Sequence, residues 1–424
     1  MSSSAKVHVV SKTDNTKHAV APIERSSLPQ LAVYHIRVRA ALISLTANNL
    51  SYARAGATLK WWDAYPVPSE LPPPYNNREQ YGIIPAWGYG EIIETKITGL
   101  EVGMLVWGFW PTSDLPVDLR LISGETEGHF IETTPYRQTM MNLYNRYAVR
   151  DPSMRLSMLD DEAIEKMSWE AVFRPVWGAG FLLNRYILGE PHIHPLGAAN
   201  GGVWTSADAD LSNALVISLS ASGKTARGFT DELVNNREPH TGPLALLAIS
   251  SVTEGLLPSA SFPTKTASYS DVDSSKTLDW IVRQKTGRIV IVDFGGRGNS
   301  LEQLVKAHAS HFSRQKLTIV GIGGEAKVYS AQEWRYFMDR NASLKARVQI
   351  NTSGVRDTAM DIFGPSKFFE SYDNAWKAFI DRGNTNKMKL VLGRGVEGEG
   401  GLEGGYQKLL NQAVPPNVGL AYVL

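Results

Sequence analysis

The chain has 424 residues, 43 Lys and Arg against 42 Asp and Glu, a hydrophobic fraction of 43% and no cysteine. Balanced charge offers no strong field to nucleic acid or an anionic membrane surface. The missing cysteine excludes disulfides, a thiolate nucleophile and every zinc site built on Cys, and fits a reducing compartment.

The opening MSSSAKVHVVSKTDNTKH is polar and lacks the apolar core of a secretory signal. No apolar run approaches the roughly 18 residues a membrane helix needs. These features lead us to expect a soluble, cytoplasmic protein that takes a small-molecule substrate and has neither nucleic-acid nor membrane partners. A homodimer stays open. Residues 1–28 read as a flexible N-terminus.

Residues 29–168 read as a β-rich domain. LAVYHIRVRAALISLT is rich in Val and Ile and partly alternating, as strands are. TLKWWDAYPVPSELPPPYNN is a loop with five prolines and four aromatics. Trp61, Trp62, Trp87, Trp107 and Trp110 either line an apolar cleft or fill a core. From residue 169 to 350 the grammar becomes strand and helix in turn. SWEAVFRPVWGAGFLLNRYIL reads as helix, and residues 191–210 as a linker. The apolar runs ALVISLS, LALLAISS, RIVIVDFGG and KLTIVGIGG predict a parallel sheet buried on both faces, with helices between. Residues 351–424 return through a helix, a turn and a strand, with GRGVEGEGGLEGG as a surface loop.

The turn SASGKTA, residues 220–226, follows the first strand and opens a helix. The orphan N–H groups and dipole of a helix start suit an anion. Three readings stay open: a P-loop whose first glycine is Ser218, a G-x-G-x-x-G pattern with two serines for glycines, and an empty strand–helix turn. If a dinucleotide binds, Ser220, Ser222, Gly223, Lys224 and Thr225 would meet its phosphates. Ser250 and Ser251 stand where an acid would hold the ribose of NAD, so NADPH is the expected form. Phe294, closing the third strand, would be a further cofactor contact. His192 and His194 have no third ligand in reach, so no zinc is expected.

IRVRAALISLTANNLSYARAG, IPAWGYGEIIET with GLEVGMLVWGF, SASGKTA and SYDNAWKAFIDRGNTNKMKLVLG, in that order, resemble the medium-chain dehydrogenase/reductase superfamily. LTANNLSYARAGATLKWWDAYP and IFGPSKF are similar to a branch filed as a domain of unknown function. The resemblance implies an α/β fold: a GroES-like β-rich N-terminal domain plus a Rossmann-like parallel sheet domain. It implies a zinc-free, NADPH-dependent reductase of an activated C=C or C=O in small-molecule, including secondary, metabolism. Tyr52 would be the proton donor near the nicotinamide and Asn49 would hold a carbonyl or ribose, in a cleft between the domains. The alternatives are a cofactor-independent lyase, isomerase or cyclase on the same fold, and a non-catalytic ligand-binding or scaffold protein.

Overall fold

In the computed structural model, residues 4–24, 28–197 and 204–424 are described. The chain divides into two compact units. One holds residues 1–175, 326–328 and 385–424, and the other residues 176–325 and 329–384.

The first unit opens with two antiparallel strands, β1 (Ala5–Ser11) and β2 (His18–Ile23). This departs from the flexible N-terminus expected for residues 1–28. Val7, Val9, Ala21 and Ile23 are buried and spaced two apart, so one face of the hairpin enters the core. Residues 1–3 and 25–27 of that stretch lie outside the described residues. Next come β3 (His35–Leu45), α1 (Ala47–Ala55), β4 (Tyr81–Gly82), β5 (Pro85–Thr95), β6 (Leu105–Pro111), β7 (Val117–Ser123), β8 (His129–Glu132) and β9 (Arg146–Ala148). The sheet runs β3-β5-β6-β9-β8-β7, and β7 pairs back onto β3, so it closes into a barrel. All five named tryptophans are at most 9% exposed. They are core, and Trp87 stacks on Trp107 with centroids 6.1 Å apart.

The boundary between the units falls at Pro175, inside α2 (Asp161–Leu182). After α3 (Ser206–Ala209), the second unit builds one sheet from β10 (Ala214–Leu219), β11 (Ala245–Ile249), β12 (Thr264–Ala267), β13 (Arg288–Asp293), β14 (Lys316–Gly321) and β15 (Arg347–Gln349). Its order is β12-β11-β10-β13-β14-β15 and every pairing is parallel. Counted within the sheet this is 3-2-1-4-5-6, the doubly wound dinucleotide order. Between the strands run α4 (Lys224–Asn235), α5 (Ser275–Arg283), α6 (Ser300–His311) and α7 (Ala331–Ser343). Leu215, Ile217 and Leu219 on one face of β10 join a core with Leu278 and Ile281 of α5 and Leu301 and Leu304 of α6. Each such side chain, once buried, contributes about 1.5–3 kcal/mol. Against α2, α4 approaches so closely that a Cβ on Gly180 would lie 2.4 Å from the Phe229 nitrogen. That contact sets where the N-terminus of α4 ends up.

The second unit continues past residue 350 through α8 (Thr352–Phe363) and α9 (Pro365–Asp381). Tyr372, Trp376 and Phe379 of α9 pack around Trp177, which keeps this pair with the Rossmann-like unit. The return to the first unit therefore starts at Thr385, later than residue 351. It consists of β16 (Lys389–Arg394), α10 (Leu402–Leu410) and β17 (Val418–Val423), and β17 joins β3 antiparallel. In the expected linker, residues 198–203 lie outside the described residues.

Candidate functional site

Strand β10 ends at Leu219 and the chain turns sharply. Ser220 takes φ +61°, a left-handed conformation that glycine adopts freely and serine at a cost on the order of 1 kcal/mol. The turn is closed by Gly223 N donating to Ser220 O at 2.9 Å, and pinned to β11 by Ala221 N donating to Ile249 O at 3.0 Å. Gly223 is the N-cap of α4, with no side chain capping it and no acid in the first turn. The first N–H groups, at Lys224 and Thr225, thus meet the positive end of the helix dipole without a carboxylate in the turn to neutralise it.

Two cations rise from this helix start. Lys224 is half-buried; desolvation and then repulsion from Arg227 push its pKa down from 10.5 to about 8. Arg227 is lowered by burial and donates its Nε to Ser222 O at 3.1 Å. An anion on this turn would relieve both effects.

Strand β11 ends in Ser250 and Ser251. Ser250 Oγ donates to Ser222 Oγ at 2.5 Å, and both side chains are buried. Ser251 next to it is exposed. Beyond β12, burial raises the Tyr269 phenol, opposed by its hydrogen bond with Ser220 and by nearby Arg297. At the end of β13, Asp293 Oδ1 accepts from Gly295 N at 3.0 Å and Gly296 N at 2.7 Å, shaping the following loop. Phe294 N donates to Leu219 O at 3.2 Å, and its ring lies 5.6 Å from Phe229. Ser220, Ser222, Gly223, Lys224, Thr225, Ser250, Ser251 and Phe294 therefore all lie along the carboxyl edge of one parallel sheet. The turn stands where β10 has β11 on one side and β13 on the other, the switch point at which such sheets bind ligands.

Tyr52 and Asn49 lie in the first unit, on α1. Burial pushes the Tyr52 phenol up to about 12, and its oxygen accepts from Trp87 Nε1 at 3.0 Å. The Asn49 amide is engaged at both ends: Oδ1 accepts from Thr46 N at 2.8 Å and Nδ2 donates to Pro85 O at 3.0 Å. Asn49 thus completes the capping box that starts α1.

Sequence reasoning missed Arg227 and Tyr269. Arg227 was within its reach, three residues after Lys224 on a predicted helix. Tyr269 was not, because only strand order carries the end of β12 toward the turn. Among the described residues no group of three or more His, Asp or Glu could hold a metal, and no helix is long and apolar enough to cross a membrane.

A family profile described as "Protein of unknown function (DUF2855)" matches residues 43–415. No curated protein matches the chain. The crystal structures of CurA from Vibrio vulnificus, alone and in complex with NADPH, each align with a TM-score of 0.50 and 11% identity, covering 99% of this chain and 98% of that one. At this identity the likeness is one of fold, and it bears out a GroES-like unit joined to a Rossmann-like one.

Proposed function

The chain belongs to the family described as "Protein of unknown function (DUF2855)", and from that membership and its fold we propose a zinc-free, NADPH-dependent reductase of an activated C=C or C=O in small-molecule metabolism. One observation carries the reading: an uncapped helix start bearing Lys224 and Arg227, placed by Ser220 at the switch point of a 3-2-1-4-5-6 sheet. The NADPH complex of CurA, a protein of similar fold, supports it.

In this reading the α4 N–H groups and Lys224 hold the cofactor's phosphates. Ser250 is turned inward onto Ser222, so exposed Ser251 is left to face the ribose, with no charge to repel a 2′-phosphate. Bound there, the nicotinamide would supply a hydride to an electron-poor carbon. Tyr52 is the proton donor: Trp87 already donates to its oxygen, and burial keeps its own proton in place at neutral pH. Asn49 acts as a positioning residue, fixing the start of the helix that carries Tyr52.

NADPH titration followed by tryptophan fluorescence tests the reading. Saturable binding in the micromolar range is expected, with NADH weaker by about tenfold, the size of one charge-assisted contact. No response to NADPH at millimolar concentration would leave the fold standing and remove the reductase. The cofactor-free rival draws support from the Ser222 and Ser250 hydroxyls being engaged with each other.

A further inference from the structure

Arg356 lies in the second turn of α8 and is 9% exposed. Its Nε is buried with no hydrogen-bond partner among the described residues. Among the described residues no carboxylate pairs with its guanidinium, whose recorded contact is the face of Tyr372, 5.3 Å from Cζ to the ring centre. Cation–π contact with Tyr372 offsets only part of what burial costs a charge. An anion from outside the chain would offset the cost of a buried guanidinium left this way.

The surroundings suit one. Helical side chains lean toward the N-terminus, so the stem of Arg356 leans toward the turn that contains Thr352 and Ser353. Ser353 is 5% exposed. The N-cap Asn351 accepts from Gly354 N at 3.0 Å, which leaves the Thr352 and Ser353 N–H groups at the positive end of a 12-residue helix. A forked donor, two hydroxyls and two N–H groups match the oxygens of a carboxylate or phosphate.

This place differs from the turn at Ser220. Helix α8 follows β15, the edge strand, whereas α4 follows β10. Both starts lie on the same carboxyl edge, three strand spacings apart, or about 14 Å. With the ribose of a dinucleotide at the end of β11, the reacting half of the cofactor extends the other way, past β13 and toward β15. We infer that Arg356, with the first turn of α8, binds a carboxylate or phosphate group of the substrate. The anion site stands on Arg356 itself; only its assignment to the substrate rests on the reductase reading.

The test uses the full chain, with succinate and inorganic phosphate as separate probes of the two anion classes. Thermal unfolding and fluorescence titration are followed for wild type, Arg356→Gln, Arg356→Lys and Lys224→Ala. At least one probe should bind wild type saturably and raise its unfolding temperature, and the probe that does so identifies the class. Arg356→Gln should weaken that binding at least tenfold and Arg356→Lys by less, whereas any phosphate binding lost in Lys224→Ala but kept in Arg356→Gln belongs to the turn at Ser220. Without any probe, Arg356→Gln should unfold within a degree or so of the wild-type temperature or above it, because no counter-charge is lost and the cation–π contact with Tyr372 is offset by relief of the buried charge. The proposal is overturned if neither probe affects wild type, if binding survives Arg356→Gln, or if Lys224→Ala alone abolishes it, which would place the anion on the other turn. A fall of several degrees for Arg356→Gln without probe would also overturn it, by marking the guanidinium as structural. Failure of the reductase reading looks different: probe binding still depends on Arg356, while NADPH has no effect on any of the four proteins.

Discussion

Ser250 Oγ donates to Ser222 Oγ across 2.5 Å, which joins the end of β11 to the turn after β10. The two hydroxyls are 1% and 3% exposed as residues, so this bond belongs to the interior. Its neighbour Ser251 faces solvent. The two serines at the end of β11 are adjacent in sequence and opposite in role. Ser250→Ala should destabilise the protein by about 1 kcal/mol, the usual value of a buried hydrogen bond. Ser251→Asp should leave stability unchanged and weaken NADPH by about tenfold relative to NADH, through repulsion of the 2′-phosphate. Denaturant titration and the ratio of the two dissociation constants check both; an unchanged ratio removes Ser251 from the ribose site.

Lys224 links cofactor affinity to pH. Desolvation, then Arg227, lowers its pKa from 10.5 to about 8 in the free protein. A phosphate would hold it charged. NADPH affinity should therefore fall as pH rises through 8, where the free protein loses that charge. Lys224→Ala should weaken NADPH roughly tenfold at pH 7 and remove this pH dependence. Because the folded pKa lies below the unfolded one, the charged lysine opposes folding below about pH 8, and that cost fades between 8 and 10.5. Unliganded Lys224→Ala should thus be no less stable than wild type at pH 7.

Glu232 gives a second pH signature. It is 2% exposed, its Oε1 has no hydrogen-bond partner among the described residues, and burial raises its pKa from 4.5 to about 7, opposed by a hydrogen bond with Asn236 and reinforced by Asp231. The folded state therefore holds this proton more tightly than the unfolded one. Stability should fall between about pH 4.5 and 7 and level off above. Glu232→Gln should flatten that fall and gain on the order of 1–3 kcal/mol at pH 8, with little change near pH 4.5. Urea unfolding at the two pH values measures it, and an equal effect at both would rule out titration of Glu232.

Tyr52→Phe separates chemistry from packing. The substitution leaves the Trp87 indole N–H without its acceptor in a buried site, at a cost of about 1–3 kcal/mol. If the phenol also delivers the proton, kcat should fall at least a hundredfold while the NADPH dissociation constant stays within twofold. A loss of stability with kcat unchanged would assign Tyr52 to the core alone.

The α/β architecture was legible because its signals are local. Short β-branched runs such as Ile289–Val292, separated by amphipathic helices, can be buried on both faces only in a parallel sheet. The turn at Ser220–Lys224 was legible for the same reason, as a strand end, small residues and a helix start lie in one stretch of chain. The N-terminal hairpin was not, because its Val7 and Val9 are too few to stand out from polar neighbours until β2 and β4 flank β1. Strand order, too, lies outside any local pattern. It sets Tyr269 beside Ser220 and turns Ser250 inward while Ser251 stays in solvent. The sequence by itself determined the alternation of strand and helix in the second unit and where an anion can be met, since those depend on neighbours within a turn or two. Only the tertiary structure decided that the Asn49 amide nitrogen is taken up by Pro85 O and that Arg356 is buried without a counter-charge among the described residues, because burial and pairing depend on what distant segments bring.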